Sequence, residues 1–128
     1  MSAPPSVLVS VPAGPDLLSV LRAVAASVAA RLDLSFDAVE DVRVAVDEAA
    51  SILLQVPSSR DRLELRIDTD SDEMRAMLSI EAPAGAWPPP GLEGSWAWRV
   101  ITRVCDEAGF ERRGTDPAIR FVKRAVPR

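Results

Sequence analysis

The stretch FDAVEDVRVAVDEAASIL, residues 36–53, has the periodicity of an amphipathic helix. The residues of its expected buried stripe recur every three or four positions, which places them on one face of a helix. They are Val39, Val42, Val46, Ala49 and Leu53. Ser35 precedes the stretch and can cap its first turn, while Asp37 suits the positive end of the helix dipole. We therefore predict a helix that begins after Ser35 and that Pro57 closes.

The water-facing side of this predicted helix is strongly acidic. Residues 31–50 contain six acids and two arginines, a formal charge of −4, and the whole 128-residue chain also has a net charge of −4. Nucleic-acid binders gain affinity by neutralising phosphates, so this balance argues against a nucleic-acid partner. Residues 111–128 form a basic run with a formal charge of +4. We interpret that run as an edge strand protected by Lys and Arg, in preference to a nucleic-acid site.

The segments on either side of residues 36–53 alternate between the periods of strands and helices. The predicted elements are a strand over residues 6–11, a helix of about four turns capped by Asp16, strands over 63–67 and 74–82, a helix over 96–108 capped by Ser95 with Gly109 at its end, and strands over 109–113 and 118–126. Strands paired by hairpins, with helices gathered elsewhere, favour an α+β fold. We predict one domain over residues 1–128, a two-layer sandwich of a mostly antiparallel sheet and three helices in the order β-α-α-β-β-loop-α-β-β.

Residues 83–94 hold four prolines and three glycines, which predicts a loop that is either functional or disordered. The three tryptophans, Trp87, Trp96 and Trp98, could suggest a stacking site, but we favour packing. Because Trp96 and Trp98 are two positions apart, they point to different faces of a helix. One is expected in the core, and the other under or beside the loop. Cys105 is interpreted as a small buried hydrophobic residue rather than a redox sensor.

The sequence lacks several residue types and patterns, and this excludes some kinds of catalytic site, metal site and targeting segment. The chain has no His and one Cys, which excludes His-based catalytic triads, His-containing zinc sites and an internal disulfide. A fold that needs no disulfide does not require an oxidising compartment. No apolar run approaches the ~20 residues of a membrane helix, and the first residues lack the pattern of a secretion signal. We therefore expect a cytoplasmic protein without membrane contact.

Residues 36–53 resemble the N-box helix of the RsbW-type anti-sigma-factor kinases, which are members of the GHKL (Bergerat-fold) ATPase group. The segment SWAWRVITRVCDEAG, residues 95–109, resembles the last helix of that family. There a Gly-rich lid end runs into a helix that finishes in Asp-Glu, here Asp106 and Glu107. The resemblance covers roughly residues 7–124, agrees with the predicted element order, and implies that the loop at 83–94 corresponds to the lid.

The family's first motif is E-x-x-x-N on one helix. The resemblance implies that its Glu and Asn, which lie one helical turn apart, have different roles. The Glu polarises the attacking group, while the Asn oxygen holds the Mg²⁺ that bridges the phosphates. In this chain the Glu matches Glu48, but Ile52 stands at the Asn position. A hydrocarbon side chain cannot ligate a hard cation that takes oxygen donors. We therefore expect no bound metal, and we interpret Glu48 as a relic of the family base or as a partner contact.

The other two motifs of the family are also degenerate in this chain. In D-x-G-x-G, the Asp that accepts from the adenine amino group is replaced by Ala82, and the two Gly positions hold Ala84 and Ala86. At the lid end, the Gly, Arg and Gly positions that cradle phosphates hold Ser95, Trp96 and Ala97. We therefore expect no nucleotide cofactor and no catalytic residue. ATP and Mg²⁺ are expected only if the chain is an active kinase.

The resemblance implies a function in transcription regulation, and the residues leave three functions open. In the first, the chain is an anti-sigma factor without kinase activity, a homodimer that sequesters an RNA polymerase sigma factor until a STAS-type anti-anti-sigma factor replaces it. In the second, it is an active serine kinase that phosphorylates that antagonist. In the third, it is a degenerate module with another partner, such as a response regulator or a metabolic protein. For the first we expect Asp41 and Glu48 to contact the basic surface of the sigma factor.

Overall fold

Five strands form one antiparallel sheet, and helices cover one of its faces. The computed structural model describes residues 6–56, 62–82 and 85–125. Within these ranges the elements are β1 (Ser6–Pro12), α1 (Leu18–Arg31), α2 (Phe36–Leu54), β2 (Arg62–Thr69), β3 (Glu73–Ile80), α3 (Trp96–Val104), β4 (Glu107–Arg113) and β5 (Asp116–Arg124). The strand order is β1-β2-β3-β5-β4, and every neighbouring pair is antiparallel. The predicted α+β two-layer fold and its element order are confirmed.

The core lies between the inner face of the sheet and α2, which packs against both α1 and α3. Alternate residues of β2 point inward because side chains along a strand alternate between its faces. Leu63, Leu65 and Ile67 are fully buried in this way. The predicted apolar stripe of α2 is buried as well, except that Val39 is only partly covered. The periodicity of residues 36–53 therefore identified the helix that organises the core.

The outer face of the sheet is covered by charged side chains that pair with one another within a strand and between neighbouring strands. Arg75 contacts Glu73 at 2.8 Å, and Arg124 contacts the same carboxylate at 3.2 Å. Arg120 pairs with Glu111 at 3.4 Å, which links β5 to β4. This interleaving of opposite charges makes the outer face a solvated surface, as expected for an antiparallel sheet with a single covered face.

The last helix is shorter than the sequence predicted. It ends at Val104, because Cys105 adopts an extended backbone conformation with φ −111° and ψ 153°. The following amide, that of Asp106, donates to the carbonyl oxygen of Val122 at 2.9 Å. The predicted continuation to Ala108 is therefore wrong: pairing with β5 draws these residues into β4. Gly109 does not terminate a helix; it lies in β4, where an added Cβ would come within 3.1 Å of the Arg120 side chain.

Three further predictions about the elements need correction or fall outside the described ranges. Asp16 caps no α-helix, because it lies in a 3₁₀ turn over Pro15–Leu17 and α1 begins after that turn. The predicted edge position of the basic run holds only for Arg112 and Arg113, which lie in the edge strand β4; the other basic residues of the described run lie in β5, which is placed between β3 and β4. Parts of the sequence predictions that concern Pro57, Ala84 and Val126 lie outside the described residues.

Two serine caps were predicted correctly. The Ser35 hydroxyl oxygen accepts from the Ala38 amide at 3.1 Å, and the Ser95 hydroxyl oxygen accepts from the Trp98 amide at 3.2 Å. Each bond satisfies one of the amides that a helix leaves without a partner in its first turn. In the ranges that the structure covers, no helix has the length and apolarity required to cross a bilayer.

Candidate functional site

The candidate site lies where α2 faces α3 and the end of β5. Positions 41, 48 and 52 of α2 are seven and four residues apart, so their side chains lie on one side of the helix. The direction of that side is set by Asp41, whose carboxylate accepts from the Lys123 ammonium at 3.0 Å. Lys123 also donates to the carbonyl oxygen of Val104 at 2.7 Å. One ammonium group therefore connects α2, β5 and the last residue of α3.

The contacts of Asp41 bear on its predicted role as a partner-binding residue. The side chain of Lys123 is only 15% exposed, and that of Asp41 is 36% exposed. A charge removed from water to this extent needs a partner of opposite sign. The Asp41 carboxylate is thus engaged inside the domain, and a partner protein would meet an ion pair here rather than a free carboxylate.

Glu48 has a different environment from Asp41. It is partly buried, and no ion pair or hydrogen bond of its carboxylate occurs within the described residues. Other acids of α2 are paired: Asp47 contacts Arg22 of α1 at 3.2 Å, and Glu40 contacts Arg43 at 3.7 Å. In the described part of the chain, Glu48 is therefore one of the α2 carboxylates still open to an outside partner.

Ile52 lies one turn after Glu48 and belongs to the hydrophobic core. It is 6% exposed. Its side chain has no oxygen or nitrogen, whereas Mg²⁺ is held by oxygen ligands. Among the described residues, no three His, Cys, Asp or Glu side chains lie together in a way that could hold a metal ion. The position next to Glu48 contributes a buried hydrocarbon group to packing, and not a ligand.

The segment after β3 contains the positions that the resemblance matches to the adenine-binding motif. Ala82 is partly buried, and its amide is 3.4 Å from a carboxylate oxygen of Asp116, which accepts its hydrogen bond. Ala86 is exposed. The side chain of Arg112 donates to the carbonyl oxygen of Gly85, so a guanidinium on the edge strand holds the loop. At these positions the chain offers methyl groups and occupied backbone groups, and not a carboxylate for an adenine amino group.

The start of α3 is an aromatic cluster. Trp98 is 9% exposed and stacks on Phe110 of β4 with ring centroids 3.9 Å apart. Trp87 meets the same ring edge-on at 5.8 Å, and its indole N–H donates to the carbonyl oxygen of Glu111 at 2.9 Å. Both residues pack, as predicted. Trp96 differs, since it is 76% exposed and is not covered by the loop.

Ser95 and Ala97, which the resemblance matches to the lid end, and the cysteine have structural roles. Ser95 caps α3, and Ala97 packs against the core. Cys105 also packs against the core, directly after α3 rather than in its middle. Burial raises the pKa of its thiol to about 12, with a smaller opposing contribution from Lys123. The thiol therefore stays protonated near neutral pH, which agrees with the interpretation of Cys105 as a hydrophobic residue.

Sequence reasoning missed two residues that hold this region together, Lys123 and Phe110. A signal for Lys123 was present. It follows Ile119 and Phe121 at the two-residue spacing of inward-facing strand positions, and a charge there indicates a buried partner. Within the described ranges, cavities lie on the outer sheet face and on α3, and Glu48 is not among their lining residues.

The chain is similar in sequence to proteins of known name. No protein-family model matches the chain. Over 102 residues, or 80% of its length, the chain is 30% identical to the anti-sigma-F factor RsbW from two strains of Mycobacterium tuberculosis. It spans 59% of the length of these curated relatives. The chain is therefore similar, over most of its own length, to proteins named anti-sigma-F factors.

Proposed function

We propose that this chain is an anti-sigma factor, which binds an RNA polymerase sigma factor and keeps it away from polymerase. The observation that carries the proposal is 30% identity, over 80% of the chain, to proteins named anti-sigma-F factors. Since RNA polymerase works in the bacterial cytoplasm, the proposal places the protein there.

The surface that we assign to the sigma factor is the acidic side of α2. Sigma factors bind DNA through basic surfaces, and an acidic surface steers such a partner by long-range attraction. Asp37 and Glu48 supply carboxylates that form no ion pair within the described residues. Asp41 contributes less, because Lys123 already neutralises it. Glu48 is thus the residue whose charge tests the surface most directly.

The proposed release step is exchange for a STAS-type anti-anti-sigma factor without phosphoryl transfer. Two residues support a release step without phosphoryl transfer. Ile52 is a buried hydrocarbon side chain one turn from Glu48, and Ala82 offers no carboxylate. We also propose that the active unit is a homodimer. The support for this is α1, whose outer side exposes 40% of Val20 beside small residues.

A binding assay with candidate sigma factors tests the main proposal. We expect Glu48→Arg to weaken the complex about tenfold and to reduce the dependence of affinity on salt. Glu81→Arg is the matched control, because Glu81 is an exposed carboxylate that follows β3. If none of the candidates co-purifies with the chain, or if the two variants bind equally well, the acidic side of α2 is not a sigma-binding surface.

The alternative function is an active serine kinase that acts on the anti-anti-sigma factor. The observation in its favour is Glu48, which is partly exposed and unpaired in the described ranges at the position of the family base. Titration with ATP and Mg²⁺, followed by an assay of phosphate transfer, separates the two functions. Micromolar binding with transfer would establish the kinase. In that case Glu48→Ala should abolish turnover and Ile52→Asn should raise it.

A further inference from the structure

The exposed face of α3 carries charge of the opposite sign to α2. A groove of about 670 Å³ runs along this face and is called the α3 groove below. It is lined by Trp96, Arg99, Val100, Thr102 and Arg103. Positions 96, 99, 100 and 103 follow the spacing of one helix face. The opposite face of α3 holds the buried Trp98 and Ile101, so the groove residues are left on the outside.

The two arginines of the groove differ from most others on the domain. Within the described ranges neither Arg99 nor Arg103 has a carboxylate at ion-pair distance, and both are exposed. Arginines that do form such pairs are Arg22, Arg43, Arg66, Arg75, Arg113, Arg120 and Arg124. In an otherwise acidic chain, α3 contains two arginines and no acid. The α3 groove is therefore a local positive surface.

The aromatic residue of the groove is also exceptional. Trp96 is 76% exposed, whereas Trp87 and Trp98 pack on Phe110. Trp and Arg are the residue types that contribute most to protein–protein binding energy, since both combine a large apolar area with polar contacts. The indole of Trp96 and the side chain of Val100 form an apolar contact surface, and the guanidinium of Arg103 on the next turn places a positive charge beside it.

We propose that the α3 groove docks an acidic segment of a partner protein that carries an apolar side chain at its centre. Carboxylates of the segment pair with Arg99 and Arg103, while its apolar side chain packs on Trp96 and Val100. Planar guanidinium groups suit this pairing, because they bind carboxylates through two parallel hydrogen bonds. This docking surface is separate from the acids of α2, and the proposal does not rest on the proposed sigma-factor function.

A protein segment fits the groove better than a nucleic acid does. Affinity for nucleic acid grows with the number of phosphates that a protein neutralises, and two arginines release only about two counterions. The acids of α2, on the neighbouring helix, would further repel a long polyanion. A short acidic segment needs only the two positive charges that the groove supplies.

Fluorescence anisotropy of a dye-labelled peptide tests the proposal. The probe is a synthetic peptide with glutamates flanking a central leucine, and its control replaces the glutamates by glutamine. We expect the Glu peptide to bind, and Arg103→Glu to lower its affinity about tenfold, while Arg31→Glu changes it less than about twofold. The control is well matched, because Arg31 and Arg103 are exposed residues in the last turns of α1 and α3.

Trp96 provides the second readout. Trp96→Ala is expected to weaken binding, and the bound peptide is expected to protect Trp96 from quenching by acrylamide. The proposal is overturned if the Glu peptide does not bind, if the Gln peptide binds equally well, or if Arg31→Glu and Arg103→Glu lose the same affinity. It is also overturned if a single-stranded RNA oligonucleotide binds more tightly than the peptide and Arg103→Glu abolishes that binding.

Discussion

The ion pair between Asp41 and Lys123 predicts a measurable coupling energy between α2 and β5. Removing the carboxylate by Asp41→Ala leaves the Lys123 ammonium with the Val104 carbonyl at 2.7 Å as its remaining hydrogen-bond partner within the described residues. The Lys123 side chain is 15% exposed, so water replaces the lost oxygen only in part. Lys123→Met removes the charge itself and keeps an apolar stem of similar length in the same place.

The magnitude follows from the burial of the two side chains. A hydrogen bond to a charged group contributes about 1.5–3 kcal/mol, and solvent screening of the Asp41 carboxylate, which is 36% exposed, lowers this to about 1–2 kcal/mol. For a chain of 128 residues such a loss corresponds to a decrease in melting temperature of about 4–7 °C.

Urea unfolding of the two single variants, the double variant and the unmodified chain measures this coupling. The change in helix propensity on Asp41→Ala cancels in the cycle, because it is present with and without Lys123. Glu40→Ala is the control, since the Glu40–Arg43 contact at 3.7 Å joins two half-exposed side chains and is expected to contribute less than about 0.5 kcal/mol. A coupling energy below about 0.5 kcal/mol for Asp41 and Lys123 would refute this account.

Three further predictions concern other parts of the domain. Hydrogen bonds from Arg75 lower the pKa of Asp70 and of Glu73, so Arg75→Ala should raise both pKa values in an NMR titration; unmoved midpoints would contradict this. Since both folded-state pKa values are lowered, their stabilisation is present above the ordinary carboxyl pKa and is lost as the pH falls through the lowered values. Burial raises the pKa of Cys105 to about 12, so iodoacetamide at pH 8 should label the native thiol far more slowly than the urea-unfolded thiol; equal rates would show an open site. The unfolded thiol ionises first, so the stability should fall as the pH rises above its ordinary pKa. Ser95→Ala should lower the free energy of unfolding by about 1 kcal/mol through loss of the helix cap, and an unchanged urea midpoint would show that the cap contributes nothing.

Sequence periodicity predicted the elements whose burial follows a local pattern. The helix at 36–53 and the strands of the first hairpin were found because spacing of apolar residues reports directly which side faces the core. The end of α3 was missed for the same reason. Val104 and Ala108 fit a helical period, but the backbone at Asp106 is held by β5, and a pairing partner sixteen residues away is not visible in a local pattern.

The candidate site shows a similar division between local and distant information. The chain itself places Glu48 and Ile52 one turn apart, so it was evident from the sequence that a hydrocarbon side chain follows Glu48 on the same side of the helix. The ion pair of Asp41 with Lys123 was not evident, because Lys123 lies 82 residues away. The strand order decides whether the two side chains meet. The position of β5 between β3 and β4 was missed for the same reason.

The charge pairing on the outer sheet face has a consequence for how partners would assemble on this domain. Positive and negative groups cancel there, so large partners guided by charge would meet the helical side, where α2 and α3 pack against each other. Two proteins docked on two helices that pack directly against each other would compete for the same space. Exchange of one for the other would then follow from steric exclusion, with no change in the shape of the domain itself.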